Sequence, residues 1–282
     1  VTTAVSVAVQ QTFDYLGGDT APRNRLNGAY TAAGTTLTLE YDLDGIRAGA
    51  ELEIDSEVFY VWSVSGQVAT VSGAQRGTTA ANHADDSVVR VAPEWFNKDI
   101  LQEIQHAVRQ LSGRGFFTPT STAVTFDYST LTYDVSAITN ELSWYSIVFE
   151  WGGETYERFD FTELNETQLR PIFYPPVTDA TVRYRKALVV PTATTDDLVS
   201  TCGLANSAID IPPMLAAAKL LPQNAGSRVK IRSHQGSRMP DDVGHTDILR
   251  QSQYLQQLAD MRMSEELLRL REIMKVRQRI YR

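Results

Sequence analysis

The chain has a single cysteine, Cys202, among 282 residues. No disulfide can close within one copy and no cysteine-based zinc site can form, so Cys202 is expected to be a small buried hydrophobe. Histidine is scarce as well: His83, His106, His234 and His245 are scattered, and no pair stands at the i, i+4 spacing of a helical metal site. No apolar run approaches the roughly 20 residues of a membrane span. The opening "VTTAVSVAVQQTF" has neither a basic leader nor a long apolar core, so a soluble chain without a secretory signal is expected. Positive charge is the minority sign, with 26 Lys and Arg against 34 Asp and Glu and a net charge of −8. Such a surface repels nucleic acid rather than collecting it. The nucleophile elbow, the Walker loop, the dinucleotide fingerprint and H-E-x-x-H are all missing. Acidic pairs occur at Asp85–Asp86, Asp196–Asp197 and Asp241–Asp242, in turn-like stretches where Asp serves the backbone. Neither an enzyme nor a cofactor is expected.

What is present reads as an α+β chain with ordinary globular composition, 43% apolar and 21% charged. Its length suits about two domains. Residues 1–34 form an N-terminal segment of mixed signals. Residues 35–92 alternate in short runs ("TLTLEY", "AELEI", "EVFYVWSV", "VATVSG") parted by Gly and Asp, which predicts a small antiparallel β module. Residues 93–113 carry Ile100, Ile104 and Val108 at i, i+4, i+8, one apolar face of a helix opened by Pro93 or Asn97 and closed by Gly113. Residues 114–190 return to strands at roughly ten-residue spacing, which predicts a β-sandwich domain. Trp144, Tyr145, Phe149 and Trp151 within it could form a sugar-binding platform, but alternating aromatics in a sandwich more often fill its core. Residues 191–245 read as a linker, a short buried helix ("IDIPPMLAAAKLL") and a loop holding Arg228, Lys230, Arg232 and Arg238.

From 246 to 282 there is neither Pro nor Gly, and a long terminal helix is expected. Ile248, Leu255, Leu258 and Ala259 share one stripe. Met263, Leu267, Leu270, Met274 and Tyr281 start another, with "SEEL" at 264–267 resembling a fresh helix N-terminus capped by Ser264. Residues 262–282 hold seven basic and three acidic side chains, a net +4 against −12 for the remainder. A basic amphipathic terminus on an acidic body is a docking element by composition.

Two stretches are candidates for a site. "EYDLDGIRAGAE" sets Glu40, Asp42, Asp44, Gly45 and Glu51 at EF-hand-like positions, a weak Ca²⁺ candidate, because its flanks read as strands and its first ligand is Glu. "RGTTAANHADDSVVRV" (76–91) gathers Arg76, Thr78, Thr79 and His83 in one polar loop ahead of a strand. These residues read as a shaped turn whose side chains satisfy loop backbone or touch a neighbouring subunit.

That second stretch carries a resemblance. With the preceding hairpin it resembles a β module in virion proteins of tailed bacteriophages, through Arg76, Gly77, Thr78, Thr79, Ala80, His83, Ala84, Ser87 and Val88. Relatives often carry an extra Gly near this Thr, and small residues where Asp85 and Asp86 stand. The helix at 97–112, "DIPPMLAAAKLL" and the terminus "RQRIYR" are similar to head–tail connector (neck adaptor) proteins. The resemblance implies a homo-oligomeric ring under the portal protein, in the neck of a virion assembled in the host bacterial cytoplasm. Tail or head-completion proteins would be its other partners, and DNA would pass without specific binding. The terminal helix would dock on the portal through Leu267, Arg269, Leu270, Arg271, Met274, Lys275, Arg277, Arg279, Ile280, Tyr281 and Arg282. Because the module also occurs in tail components, a tail-tip or baseplate protein whose sandwich binds host carbohydrate stands as the alternative.

Overall fold

The structure, a computed structural model, describes residues 3–41, 46–235 and 245–273. The chain is α+β and divides into two units, one built from 5–106 and 212–256, the other from 1–4, 107–211 and 257–282. Among the described residues no helix is long and apolar enough to cross a membrane.

The first unit opens with helix α1 (Val5–Tyr15), which the mixed signals of 1–34 did not announce. It buries Val5, Ala8, Val9, Thr12 and Phe13, and Thr12 folds its hydroxyl back onto the Ala8 carbonyl at 2.8 Å. Six strands follow: β1 (Arg23–Arg25), β2 (Thr36–Thr38), β3 (Glu51–Ile54), β4 (Glu57–Ser65), β5 (Val68–Ser72) and β6 (Val88–Val91). They form one antiparallel sheet in the order β1-β6-β3-β4-β5-β2. The sheet curls until its edges meet: Asn27 donates to the Thr38 carbonyl and Glu40 to the Arg25 carbonyl, each at 2.9 Å. This pairs edges that would otherwise be open to other chains. Inside the curl lie Leu37, Leu39, Leu52, Ile54, Phe59, Val61, Val89 and Val91. The β3–β4 turn places Asp55 at φ 55°, a left-handed position that Asp tolerates better than most residues.

Helix α2 (Asn97–Gly113) is the helix expected there, and Ile100, Ile104 and Val108 are all buried. In the second unit lie β7 (Thr118–Asp127), β8 (Thr132–Asp134), β9 (Glu141–Trp151), β10 (Glu154–Arg158), β11 (Phe161–Asn165), β12 (Gln168–Pro171) and β13 (Asp179–Lys186). The expected sandwich is instead one curled sheet, ordered β10-β9-β13-β7-β8-β12-β11. Strand β7 joins its two halves, pairing with β13 along residues 118–125 and with β8 at 126–127. Phe126, Tyr133, Ile147, Leu169 and Val182 fill the curl. Regular strand spacing is common to sandwiches and curled sheets, so it could not separate them.

Helix α3 (Ile211–Gln235) corrects the reading of residues 222–235 as loop, because it runs on past Pro222, and the rest of that expected loop, 236–244, lies outside the described residues. Proline has no N–H to give to the carbonyl four residues earlier, which is Ala218. The Ser252 hydroxyl donates to that carbonyl instead, at 2.7 Å. Helix α4 (His245–Ile273) supplies this serine, and its Leu255 packs on Ala217, Ala218 and Leu221.

Candidate functional site: the Arg76–His83 loop and the terminal helix

The loop is built from strained turns and engaged side chains. Ala74 and Arg76 both take positive φ, 54° and 52°. Arg76 donates from Nε and Nη2 to the two oxygens of Glu51, at 3.0 and 2.7 Å. Its guanidinium also lies 4.2 Å from the centre of the Phe96 ring. Thr78 donates to the Gln75 carbonyl at 2.8 Å and accepts the Val58 N–H at 3.1 Å. Thr79 is exposed.

His83 lies at the base of the loop, with 3% of its surface exposed. Its Nδ1 is 2.8 Å from Asp55 and its Nε2 3.0 Å from Glu57. Its backbone exchanges two bonds of 2.9 Å with Tyr30. Glu57 is buried, and its other contacts are backbone N–H groups: Ala74 and Ala81 each donate to it at 2.9 Å. A Cβ at position 73 would sit 2.3 Å from a Glu57 oxygen, so only glycine lets the loop pass. Asp85 accepts the Gly28 N–H at 2.7 Å, and Asp86 pairs with Arg25 at 2.6 Å.

Carboxylate–imidazole–carboxylate chains serve as acid–base relays when one nitrogen faces a substrate. Here both nitrogens are engaged and the ring is buried, so the chain holds a turn. The sequence reading found Arg76, Thr78 and His83 but missed Glu57 and Asp55. Their signal was available: both belong to the hairpin that precedes the loop, and a buried polar loop needs acceptors.

A second buried network was missed altogether. Arg90 on β6 binds Glu53 on β3, both oxygens of Asp19 at 3.0 and 2.8 Å, and the Trp95 carbonyl at 3.0 Å. Its guanidinium also rests 4.8 Å from the Phe13 ring centre. Burial pushes the Glu53 carboxyl up to about 7, against the pull of Arg90 and the Asn97 N–H. Asp19 feels burial too, yet Arg90 holds it below its usual range.

The Ca²⁺ candidate is only partly described. Asp42 and Asp44 lie outside the described residues, Glu40 accepts the Tyr41 hydroxyl at 2.7 Å, and Glu51 is taken by Arg76. Among the described residues no group of three potential metal ligands comes together. Cys202 is buried, and burial raises its thiol to about 11.

Helix α4 does not restart at Ser264. That hydroxyl donates to the Asp260 carbonyl within the helix at 2.9 Å. One buried stripe runs through Leu255, Ala259, Met263, Glu266 and Leu270. The apparent phase change arose because position 266 is a carboxylate: Glu266 is buried, accepting Ser207 at 3.0 Å and Arg269 at 2.9 Å. Arg262 donates to Asp210 at 3.1 Å and to the Ser207 carbonyl at 2.7 Å. Of the proposed docking residues, Leu270 is buried, Leu267 half-buried, Arg269 paired and Arg271 exposed. Met274, Lys275, Arg277, Arg279, Ile280, Tyr281 and Arg282 lie outside the described residues.

The four aromatics of β9 form no single platform, and the strand's register against β13 shifts between Ser146 and Trp144. Phe149 and Trp144 belong to the core of the curl, Tyr145 pairs with Phe159, and Trp151 is exposed. Compared with known proteins, the chain matches no family model and no curated sequence.

Proposed function

We propose that the chain is a structural virion protein, a neck adaptor of a tailed bacteriophage, rather than an enzyme. In this reading its copies form a ring that continues the portal channel in the virion neck. The ring assembles in the host bacterial cytoplasm and meets tail or head-completion proteins on its other face. The observation that carries the reading is how the Arg76–His83 motif is used. Arg76, Thr78 and His83 each hold the loop in place, which suits a part that assembles rather than reacts. The resemblance of that motif to virion modules supplies the partner class. The net charge of −8 adds support, since a lumen of like charge lets DNA slide without sticking.

Portal docking is assigned to residues 271–282. Met274, Ile280 and Tyr281 would be the apolar anchors, and Arg271, Lys275, Arg277, Arg279 and Arg282 the basic rim. Leu267, Arg269 and Leu270 are withdrawn from that set, because Leu270 is buried, Leu267 half-buried and Arg269 paired with Glu266. The test is co-sedimentation and negative-stain imaging with portal rings. Full-length chain should stack on the portal as a ring, with binding that weakens as salt rises. A chain ending at Ile273 should fold and fail to bind. Equal binding by the shortened chain overturns the docking assignment, and failure of the full chain to form rings overturns the adaptor reading.

A further inference from the structure

The outer face of the second unit carries a trough of about 720 Å³, within the roughly 300–1,000 Å³ of small-molecule sites. Its floor is a row of small side chains set side by side by strand register. Ala123 on β7 pairs with Thr181 on β13, which pairs with Val148 on β9. The neighbouring residues Val124, Val182 and Ile147 point into the core, and Phe149, Val177 and Ala180 of that core cluster line the trough as well. The trough thus borders the core at these three residues and opens to the surface at Ala123, Glu150, Thr178 and Asp179, which are exposed.

One end is walled by Tyr128. This ring is 40% exposed yet firmly seated, edge-on to Phe126 at 4.9 Å with its hydroxyl 3.4 Å from the Pro175 carbonyl. A second exposed ring, Tyr174, lies 5.5 Å beyond it. Glu150, Thr178 and Asp179 line the trough. Their side chains make no hydrogen bond or ion pair among the described residues. On the same sheet Glu157 holds Ser146 and Arg183 and Asp127 holds Ser129 and Thr130, while Glu141 and Glu163, like Glu150 and Asp179, keep their carboxylates to solvent.

We propose that this trough binds a neutral oligosaccharide. A pyranose has a flat C–H face that meets the negative face of an aromatic ring, and Tyr128 is a partly exposed ring in the trough's lining. Its hydroxyls need acceptors that are not already taken, and Glu150 and Asp179 each offer two oxygens. The lining has two carboxylates and no cation, so sialylated or phosphorylated glycans are repelled. The small floor leaves room for a ring lying along the sheet. The proposal does not rest on the adaptor reading, which ring formation on the portal tests separately.

The experiment is saturation-transfer NMR followed by titration calorimetry on the full-length chain. The probes are lactose, maltotriose, cellotriose and chitotriose, with choline as an amine comparator. At least one sugar should bind, with Tyr-ring protons as the source of transfer. Glu150→Gln and Tyr128→Ala should each weaken that sugar about tenfold, the loss of one charged hydrogen bond or one ring contact. Glu150 is exposed, so Glu150→Gln keeps the test decisive if Tyr128→Ala fails to fold. No binding by any of the four sugars overturns the proposal. So does binding that both variants leave unchanged, or binding of choline alone.

Discussion

Glu57 has the most to lose in the 76–88 loop. Removing its carboxylate takes the acceptor from the part-buried bonds of the Ala74 and Ala81 amides and strands one nitrogen of the buried His83 ring. An unsatisfied buried group costs about 1–3 kcal/mol, so Glu57→Ala should lower unfolding free energy in urea by several kcal/mol. His83→Ala should cost nearly as much, because it leaves Glu57 without its ring partner. Thr79→Ala should change stability by under about 0.5 kcal/mol. A Glu57→Ala protein as stable as the parent would show that the loop does not depend on this carboxylate. Two other carboxyls tilt stability with pH in opposite senses. The backbone N–H of Ser200 and the Thr3 hydroxyl hold Asp197 down to about 2. Its contribution is complete above its unfolded value of 3.8 and disappears as pH falls through 2. Glu53, raised by burial to about 7, behaves the other way: its contribution is complete below 4.5 and is lost as pH rises through 7. Asp197→Asn should flatten the acid limb of a stability–pH curve, and Glu53→Gln the limb between 4.5 and 7. If both variants retain the parental curve, these carboxyls do not set it. At this scale the sequence showed Arg76, Thr78 and His83 but not their partners, because a partner across a hairpin is specified by register, which residue type alone does not reveal.

Among the elements, helices α3 and α4 are joined by a borrowed hydrogen bond. Ser252→Ala should cost about 1–2 kcal/mol, because it leaves the Ala218 carbonyl without a donor. Pro222→Ala restores a backbone N–H to that carbonyl, so the double variant should recover most of the loss. Additive effects in thermal or urea unfolding would mean that the serine does not compensate for the proline. Along α4, Leu270→Ala should cost about 2–5 kcal/mol as a buried site, while Leu268→Ala, on the exposed face, should cost under about 0.5 kcal/mol. Equal losses would place the buried stripe elsewhere. Helix α2 was legible because its apolar spacing is regular and its ends carry Asn97 and Gly113. Helix α3 was cut short in the sequence reading by Pro222, since the serine that rescues it stands thirty residues away. Helix α1 was overlooked because its short apolar run lies beside the Gly-rich stretch at 17–28.

For the whole molecule, the sequence by itself determined the class and the punctuation. Alternating runs gave antiparallel strands, Gly and Asp marked their turns, one cysteine excluded a disulfide framework, and the charge balance set an acidic body with a basic terminus. These properties depend on composition and on neighbours a few residues apart. Only the tertiary structure decided that the strands at 118–186 make one curled sheet, because sheet membership depends on which distant strands share hydrogen bonds. It alone joined β1 to β2 so that the first sheet leaves few free edges. It also decided that Leu270 belongs to the body and not to a docking face, since burial is a property of what lies opposite a side chain. The same holds for the trough on the second sheet. Ala123, Val148 and Thr181 are unremarkable apart in sequence, and strand register makes them one floor.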